Sequence, residues 1–300
     1  SNMYPISTIA SITFDGDPPI FHGYDAIVLH PCTDGELTLQ LWGKEIRVFI
    51  DSGAEVNIIT QATFQSSIYD TTDLQCMRQV QLQTWTGVEE INVGSILHVP
   101  FHYSDQLTIS TSFVVLPLVV NLLGLGFLLD TGCKQEWDRN RDTILWVRDE
   151  NIIHCDVGHI ITPGLYMELD FVGVRVHALI DSGAAGNLFS YDLVVLLGLD
   201  VNQIPRVSLT DANNQSIKLY GVVSSLIIQV DEHGEILVPN LDIIDNNEDQ
   251  ITLGKSFLKQ FNCEIDYENT TLYIQKPNGK YIGVILTQKP IEIDVKDQLQ

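Results

Sequence analysis

Hydrophobic and polar residues alternate along this chain in short runs, and the runs come in pairs. Leu37, Leu39 and Leu41 alternate with polar neighbours, Gly43-Lys44 interrupts, and Ile46, Val48 and Ile50 resume the pattern. Leu165, Met167, Leu169 and Phe171 do the same ahead of Gly173, and Val174, Val176, Ala178 and Ile180 after it. A period of two broken by a glycine predicts a β-hairpin. Each predicted hairpin runs into the same four residues, Asp51-Ser52-Gly53-Ala54 and Asp181-Ser182-Gly183-Ala184. These sit on a tight turn just past the strand end, where glycine admits backbone angles that other residues avoid.

Further on, apolar strands are expected over residues 113–118 and 236–244. They lead to Leu123-Gly124 and Leu253-Gly254, then to a short helical stretch, and last strands close at residues 143–147 and 271–275. Asp51 and Asp181 stand 130 positions apart, and the same offset carries Gly43 onto Gly173, Asn57 onto Asn187, Gly124 onto Gly254, Phe127 onto Phe257 and Cys133 onto Cys263. Self-similarity at a fixed offset is the mark of a repeat, here a tandem duplication without net insertion. The expected organisation is an N-terminal extension (1–25), a first lobe (26–147), a linker (148–164), a second lobe (165–282) and a C-terminal tail (283–300). Both lobes read as all-β with one short helix each.

Composition narrows the classes. With 45% hydrophobic and 18% charged residues over 300 positions, the chain has ample material for a buried core. Sixteen basic against 39 acidic residues leave a net charge of -23, which repels nucleic-acid phosphates and anionic membranes. Neither is expected as a partner. Five scattered cysteines with no C-x-x-C pair argue against a disulfide framework or a structural zinc, and for a reducing, cytoplasmic setting. Ser1-Asn2-Met3 reads as a tag remnant before a start methionine, with no secretory signal. Residues 112–129 are apolar enough to raise a membrane span, but Pro117, Asn121, Gly124 and Gly126 interrupt them. A buried strand, a tight turn and the start of a helix fit better.

Candidate chemistry follows from the duplication. If the copies pack about a pseudo-twofold axis, Asp51 and Asp181 meet there. Carboxylates so placed cannot both ionise cheaply and share a proton. A water between them then faces a base on one side and an acid on the other. Ser52 and Ser182 could lock the turns across the axis, Gly53 and Gly183 leave the carboxylates uncrowded, and Ala54 and Ala184 suit a crowded axis. Serine as nucleophile lacks a G-x-S-x-G elbow and a histidine partner. His98 with His102, and His154-Cys155 with His159, lack a metal-site spacing such as H-E-x-x-H.

Asp-Ser-Gly-Ala after an apolar strand, then a hairpin, then apolar-apolar-Gly before a short helix, resembles the retropepsins. These are the aspartic proteases of retroviruses and Ty3/Gypsy retrotransposons and their domesticated relatives. The second copy, with Ala178-Leu179-Ile180-Asp181-Ser182-Gly183-Ala184-Ala185-Gly186-Asn187 and Ile251-Thr252-Leu253-Gly254, is the closer match. The resemblance implies an all-β acid-protease fold, Asp51 and Asp181 as the catalytic pair, and no metal or organic cofactor. It also implies flaps over an extended peptide or polyprotein substrate, near Thr84-Trp85-Thr86-Gly87 and Asp211-Ala212-Asn213-Asn214. Retropepsins carry one such motif per chain and dimerise, whereas this chain carries two. It could therefore build the site alone as a pseudo-dimer, or pair with a second chain. A duplicated scaffold that has lost catalysis and only binds a peptide or partner is the competing reading.

Overall fold

The structure, a computed structural model, describes residues 6–19, 26–29, 35–41, 43–65, 79–84, 87–92, 95–104, 107–139, 143–148, 152–155, 163–171, 173–202, 209–210, 216–230, 234–245 and 250–288. Its first three strands, β1 (Ile6–Ile9), β2 (Ile12–Gly16) and β3 (Ala26–Leu29), go to different places. β1 becomes a stave of the second lobe, while β2 and β3 flank opposite ends of the sheet that joins the lobes.

The first lobe starts with the expected hairpin, β4 (Glu36–Leu41) and β5 (Lys44–Ile50), with Gly43 turning at φ 72. Leu37, Leu39 and Leu41 face the core, as the alternation requires. After the Asp51 turn come β6 (Ile58–Thr60), α1 (Gln61–Gln65) and the hairpin β7 (Gln79–Thr84) with β8 (Gly87–Asn92). A long hairpin follows, β9 (Ser95–Ser104) with β10 (Leu107–Leu116), then β11 (Leu122–Leu123), α2 (Leu125–Thr131), β12 (Lys134–Glu136) and β13 (Ile144–Arg148). Strands β10-β6-β11-β5-β4-β9 follow one another, and β9 pairs back onto β10 to close the ring. Residues 112–129 thus form the end of β10, a bend, β11 and most of α2. Among the described residues no helix is long and apolar enough to cross a membrane. The stretch read as a linker contains β14 (Ile152–His154), which adds to the first lobe beside β10.

The second lobe repeats the plan. It comprises β15 (Tyr166–Phe171), β16 (Val174–Ile180), β17 (Asn187–Ser190), α3 (Tyr191–Leu196), β18 (Leu209–Thr210), β19 (Ser216–Ile217) and the long hairpin β20 (Leu219–Gln229) with β21 (Glu235–Ile244). Then come β22 (Ile251–Leu253), α4 (Lys255–Gln260), β23 (Glu264–Asp266), β24 (Thr271–Gln275) and β25 (Tyr281–Ile285). Strands β1-β15-β16-β22-β17-β21-β20 form a closed barrel. Pairings recur at the duplication offset: Phe49 and Ile50 lie parallel to Leu122 and Leu123, as Leu179 and Ile180 do to Thr252 and Leu253. The helix expected in each lobe is α2 or α4, and each lobe adds a second, α1 or α3. β25 carries the second lobe past residue 282, and Thr287 bridges back to Tyr166.

Between the barrels lies a sheet ordered β2-β25-β24-β23-β12-β13-β3, in which β12 of the first lobe pairs with β23 of the second. One hydrophobic core runs through both halves, from Leu39, Val48 and Phe113 to Val176, Phe189 and Phe257. The molecule is an all-β acid-protease fold of two lobes.

Candidate active site

Each Asp-Ser-Gly turn is held by the short strand threading past it. The Asp51 N–H donates to Leu123 O at 2.9 Å and the Asp181 N–H to Leu253 O at 3.0 Å. Behind each turn a buried asparagine side chain fixes the glycine before the helix: Asn57 Oδ1 accepts from Gly124 N at 2.7 Å, and Asn187 Oδ1 from Gly254 N at 3.0 Å. Those glycines have no room for a side chain, since a Cβ on Gly124 would sit 2.6 Å from Ala54 O and 2.7 Å from Val56 O. Asn57 and Asn187 were visible in the sequence as a matched pair, but their brace becomes apparent only with the fold.

The two turns meet. Ser182 Oγ accepts from Ser52 N at 2.8 Å and donates to Ile50 O at 3.3 Å. Ser52 Oγ accepts from Ser182 N at 2.8 Å and donates to Ile180 O at 2.9 Å. Both hydroxyls are therefore spent on the opposite main chain, which leaves no reason to read either serine as a nucleophile. Four reciprocal bonds between elements so distant in sequence fix the turns as one unit.

The carboxylates are equally reciprocal. Asp51 Oδ1 accepts from Gly53 N, and Asp181 Oδ1 from Gly183 N, each at 2.9 Å. Each carboxyl lies against the glycine of the other turn: a Cβ on Gly53 would come within 2.5 Å of Cγ and both oxygens of Asp181, and one on Gly183 within 2.5 Å of the same atoms of Asp51. The fold thus brings Asp51 and Asp181 together at the junction. Asp181 is 8% exposed and Asp51 half-buried. Ala54 and Ala184 each return an N–H to the carbonyl of their own aspartate.

Tyr267 was not foreseen. Its fully buried hydroxyl donates to Gln135 Oε1 at 2.7 Å. Burial pushes this phenol well above its usual range, and the charges of Cys133, Asp51 and Asp181 add to the shift. Its bond to Gln135 ties the turn after β23 to β12 of the other lobe, within the sheet that joins the lobes. An isolated tyrosine in a turn-rich stretch gives no sequence signal of that role.

Of the expected flap residues, Thr84 pairs with Gly87 where β7 turns into β8. Trp85 and Thr86 lie outside the described residues. So do Asp211, Ala212, Asn213 and Asn214, which fall between the paired strands β18 and β19. Among the described residues no three His, Cys, Asp or Glu side chains cluster as metal ligands, and His102 Nδ1 lies 2.8 Å from Thr108 Oγ1. Cys133, Cys155 and Cys263 are buried free thiols in the core.

A family model described as "PEG10/RTL1 protease domain" matches residues 177–280. No curated protein matches the chain. The matched stretch contains the second Asp-Ser-Gly turn, the Asn187 brace and Gly254, each in the geometry just described. Residues 177–280 are accordingly similar to a retropepsin-like protease domain of the retrotransposon-derived Ty3/Gypsy type.

Proposed function

We propose that the chain is an aspartic endopeptidase with one active site shared by its lobes, Asp51 and Asp181 being the catalytic pair. The observation that carries this is the reciprocal seating of each carboxyl against the other turn's glycine, locked by the crossed Ser52 and Ser182 bonds. A water held between the carboxyls loses a proton to the ionised one as its oxygen attacks a peptide carbonyl. The protonated one hydrogen-bonds the carbonyl oxygen as charge grows there. Collapse of the tetrahedral intermediate returns a proton to the leaving nitrogen and frees two peptides. No covalent enzyme intermediate forms, and the chain's own residues suffice for every proton movement.

The substrate is an extended peptide lying across both lobes, and the retroelement origin of the matched domain supports a polyprotein as its source. The test is cleavage of a peptide library at acid pH, with and without pepstatin. Asp51→Asn and Asp181→Asn should each abolish cleavage, a loss of at least about 100-fold. If only Asp181→Asn matters, the second lobe works with a copy from another chain. If neither matters or nothing is cut, the reading fails.

A further inference from the structure

The two lobes join where β12 runs antiparallel to β23, with Lys134 opposite Asp266, Gln135 opposite Ile265 and Glu136 opposite Glu264. Gln135 and Ile265 are separated by the same 130 positions as Asp51 and Asp181, so the pseudo-twofold axis passes between them. Glu264 is then the equivalent of Lys134, and Asp266 of Glu136. Opposed residues in an antiparallel pair project to the same face, as do residues two apart. Lys134, Glu136, Glu264 and Asp266 therefore form one quartet on one face of the junction.

The quartet is unequal at its two ends. Lys134 Nζ bonds Asp266 Oδ1, both side chains nearly buried, and reaches Glu268 Oε2 at 3.5 Å. At the other end two carboxylates, Glu136 and Glu264, stand in register, and Glu264 Oε2 is buried without a hydrogen-bond partner.

We infer that this quartet is a pairing code, in which Lys134 commits the second lobe to a first-lobe edge and sets it against its own copy. If β12 is replaced by a second β23 in the same register, Glu264 faces Asp266 at both ends: four carboxylates and no lysine. Like charges directly opposed in a ladder are destabilising, and such repulsion is how interfaces reject wrong partners. A first-lobe edge offers Lys134 instead and turns one end into a buried ion pair. The cleft is thereby assembled from unlike halves, within one chain or between two. The inference goes beyond peptide cleavage, since it rests on strand register and charge alone.

The quartet's neighbours define its pH response. Glu264 is faced by Glu136 from β12, Tyr273 from β24 and Tyr281 from β25, with Asp138 and Cys263 nearby. Burial first, and then Glu136, push its carboxyl up to about 8. Asp266 stands opposite Lys134 on β12 and Thr271 on β24, its charge is felt by Tyr273 and Cys133, and Glu268 and Asn269 follow it in the turn. Burial raises Asp266, but the Lys134 and Asn269 hydrogen bonds outweigh burial and hold it below the usual carboxylate range.

The experiment is thermal unfolding of the full chain at pH 5 and pH 8 for three variants. Glu136→Lys leaves the Lys134–Asp266 pair intact and sets a base opposite Glu264. Its midpoint should rise above wild type at pH 8 by at least about 2 °C, and by less at pH 5. Lys134→Glu should fall by at least about 5 °C at pH 8, and by less at pH 5. The double variant K134E/E136K has the wild-type net charge with one ion pair moved to the other end, and should regain at least half of that loss. A Glu136→Lys midpoint that does not rise at pH 8 overturns the code even if Lys134→Glu fails to fold. So does a double variant no more stable than Lys134→Glu.

Discussion

Replacing Gly53 by alanine should disable an aspartate in the other lobe. Neither Gly53 nor Gly183 adopts a positive φ, so alanine is acceptable to the backbone of both turns and the whole effect is steric. The added Cβ would come within 2.5 Å of Asp181 Cγ and both its oxygens, against an ordinary carbon contact of about 3.5–4.0 Å. The carboxyl must retreat by about 1 Å, enough to break its bond from Gly183 N, which is 2.9 Å long. A displacement of that size costs about 100-fold in rate, and overpacking of this kind destabilises by about 1–3 kcal/mol. Gly183→Ala should do the same through Asp51. Gly43→Ala is the control: its φ of 72 carries strain, but nothing lies within 4 Å of the new Cβ, so stability should fall a little and activity should hold. The assay is kcat/KM for a cleaved peptide beside the thermal midpoint. If Gly53→Ala keeps kcat/KM within about threefold of wild type at an unchanged midpoint, the carboxyl is not seated where the reasoning puts it.

Ser52→Ala removes a hydroxyl that accepts from Ser182 N and donates to Ile180 O, leaving both groups buried and unmet, at a cost of about 2–3 kcal/mol by chemical denaturation. Ser182→Ala should cost a similar amount, and the double variant less than the sum, since the four bonds form one network. An additive double variant would show that the lock does not act as a unit. Glu264 makes the folded state sensitive to alkali: its carboxyl is held near 8 by burial and then by Glu136, against about 4.3 in an unfolded chain. The stability tied to its protonated form is fully present below the unfolded value and drains away as pH climbs toward 8. Glu264→Gln should therefore gain on wild type between pH 5 and pH 8, and a constant difference across that window would refute the assignment. Burial also pushes Cys133 up to about 12 and Cys155 up to about 11. Peptide mapping after iodoacetamide at pH 8 should find both unmodified in the native chain and labelled after unfolding.

Local features were legible in the sequence because their causes are local. Alternation around Gly43 and Gly173 marked both hairpins, since a half-buried strand must put every second residue on the core side. The repeated Asp-Ser-Gly-Ala announced equivalent turns, and the apolar-Gly pairs at Leu123-Gly124 and Leu253-Gly254 marked the strands that thread past them. Other features depended on which edges meet. Nothing in Ile6–Ile9 says that this strand closes the barrel of the distant second lobe, because a short extended segment satisfies a free edge through its main chain and the edge is supplied by residues far along the chain. Tyr267 gained its role from the packing that placed its hydroxyl on Gln135 of the other lobe. The charges of β12 and β23 were plain to read, yet their meaning came from register: a shift of one residue would have set different partners opposite each other. The sequence by itself determined the strands, the turns and the chemistry each turn carries, because those follow from side-chain periodicity and backbone freedom within a few residues. Tertiary structure alone decided which carboxyl lies against which glycine and which acid faces which base, because such contacts exist only after segments 130 positions apart have been folded onto a common axis.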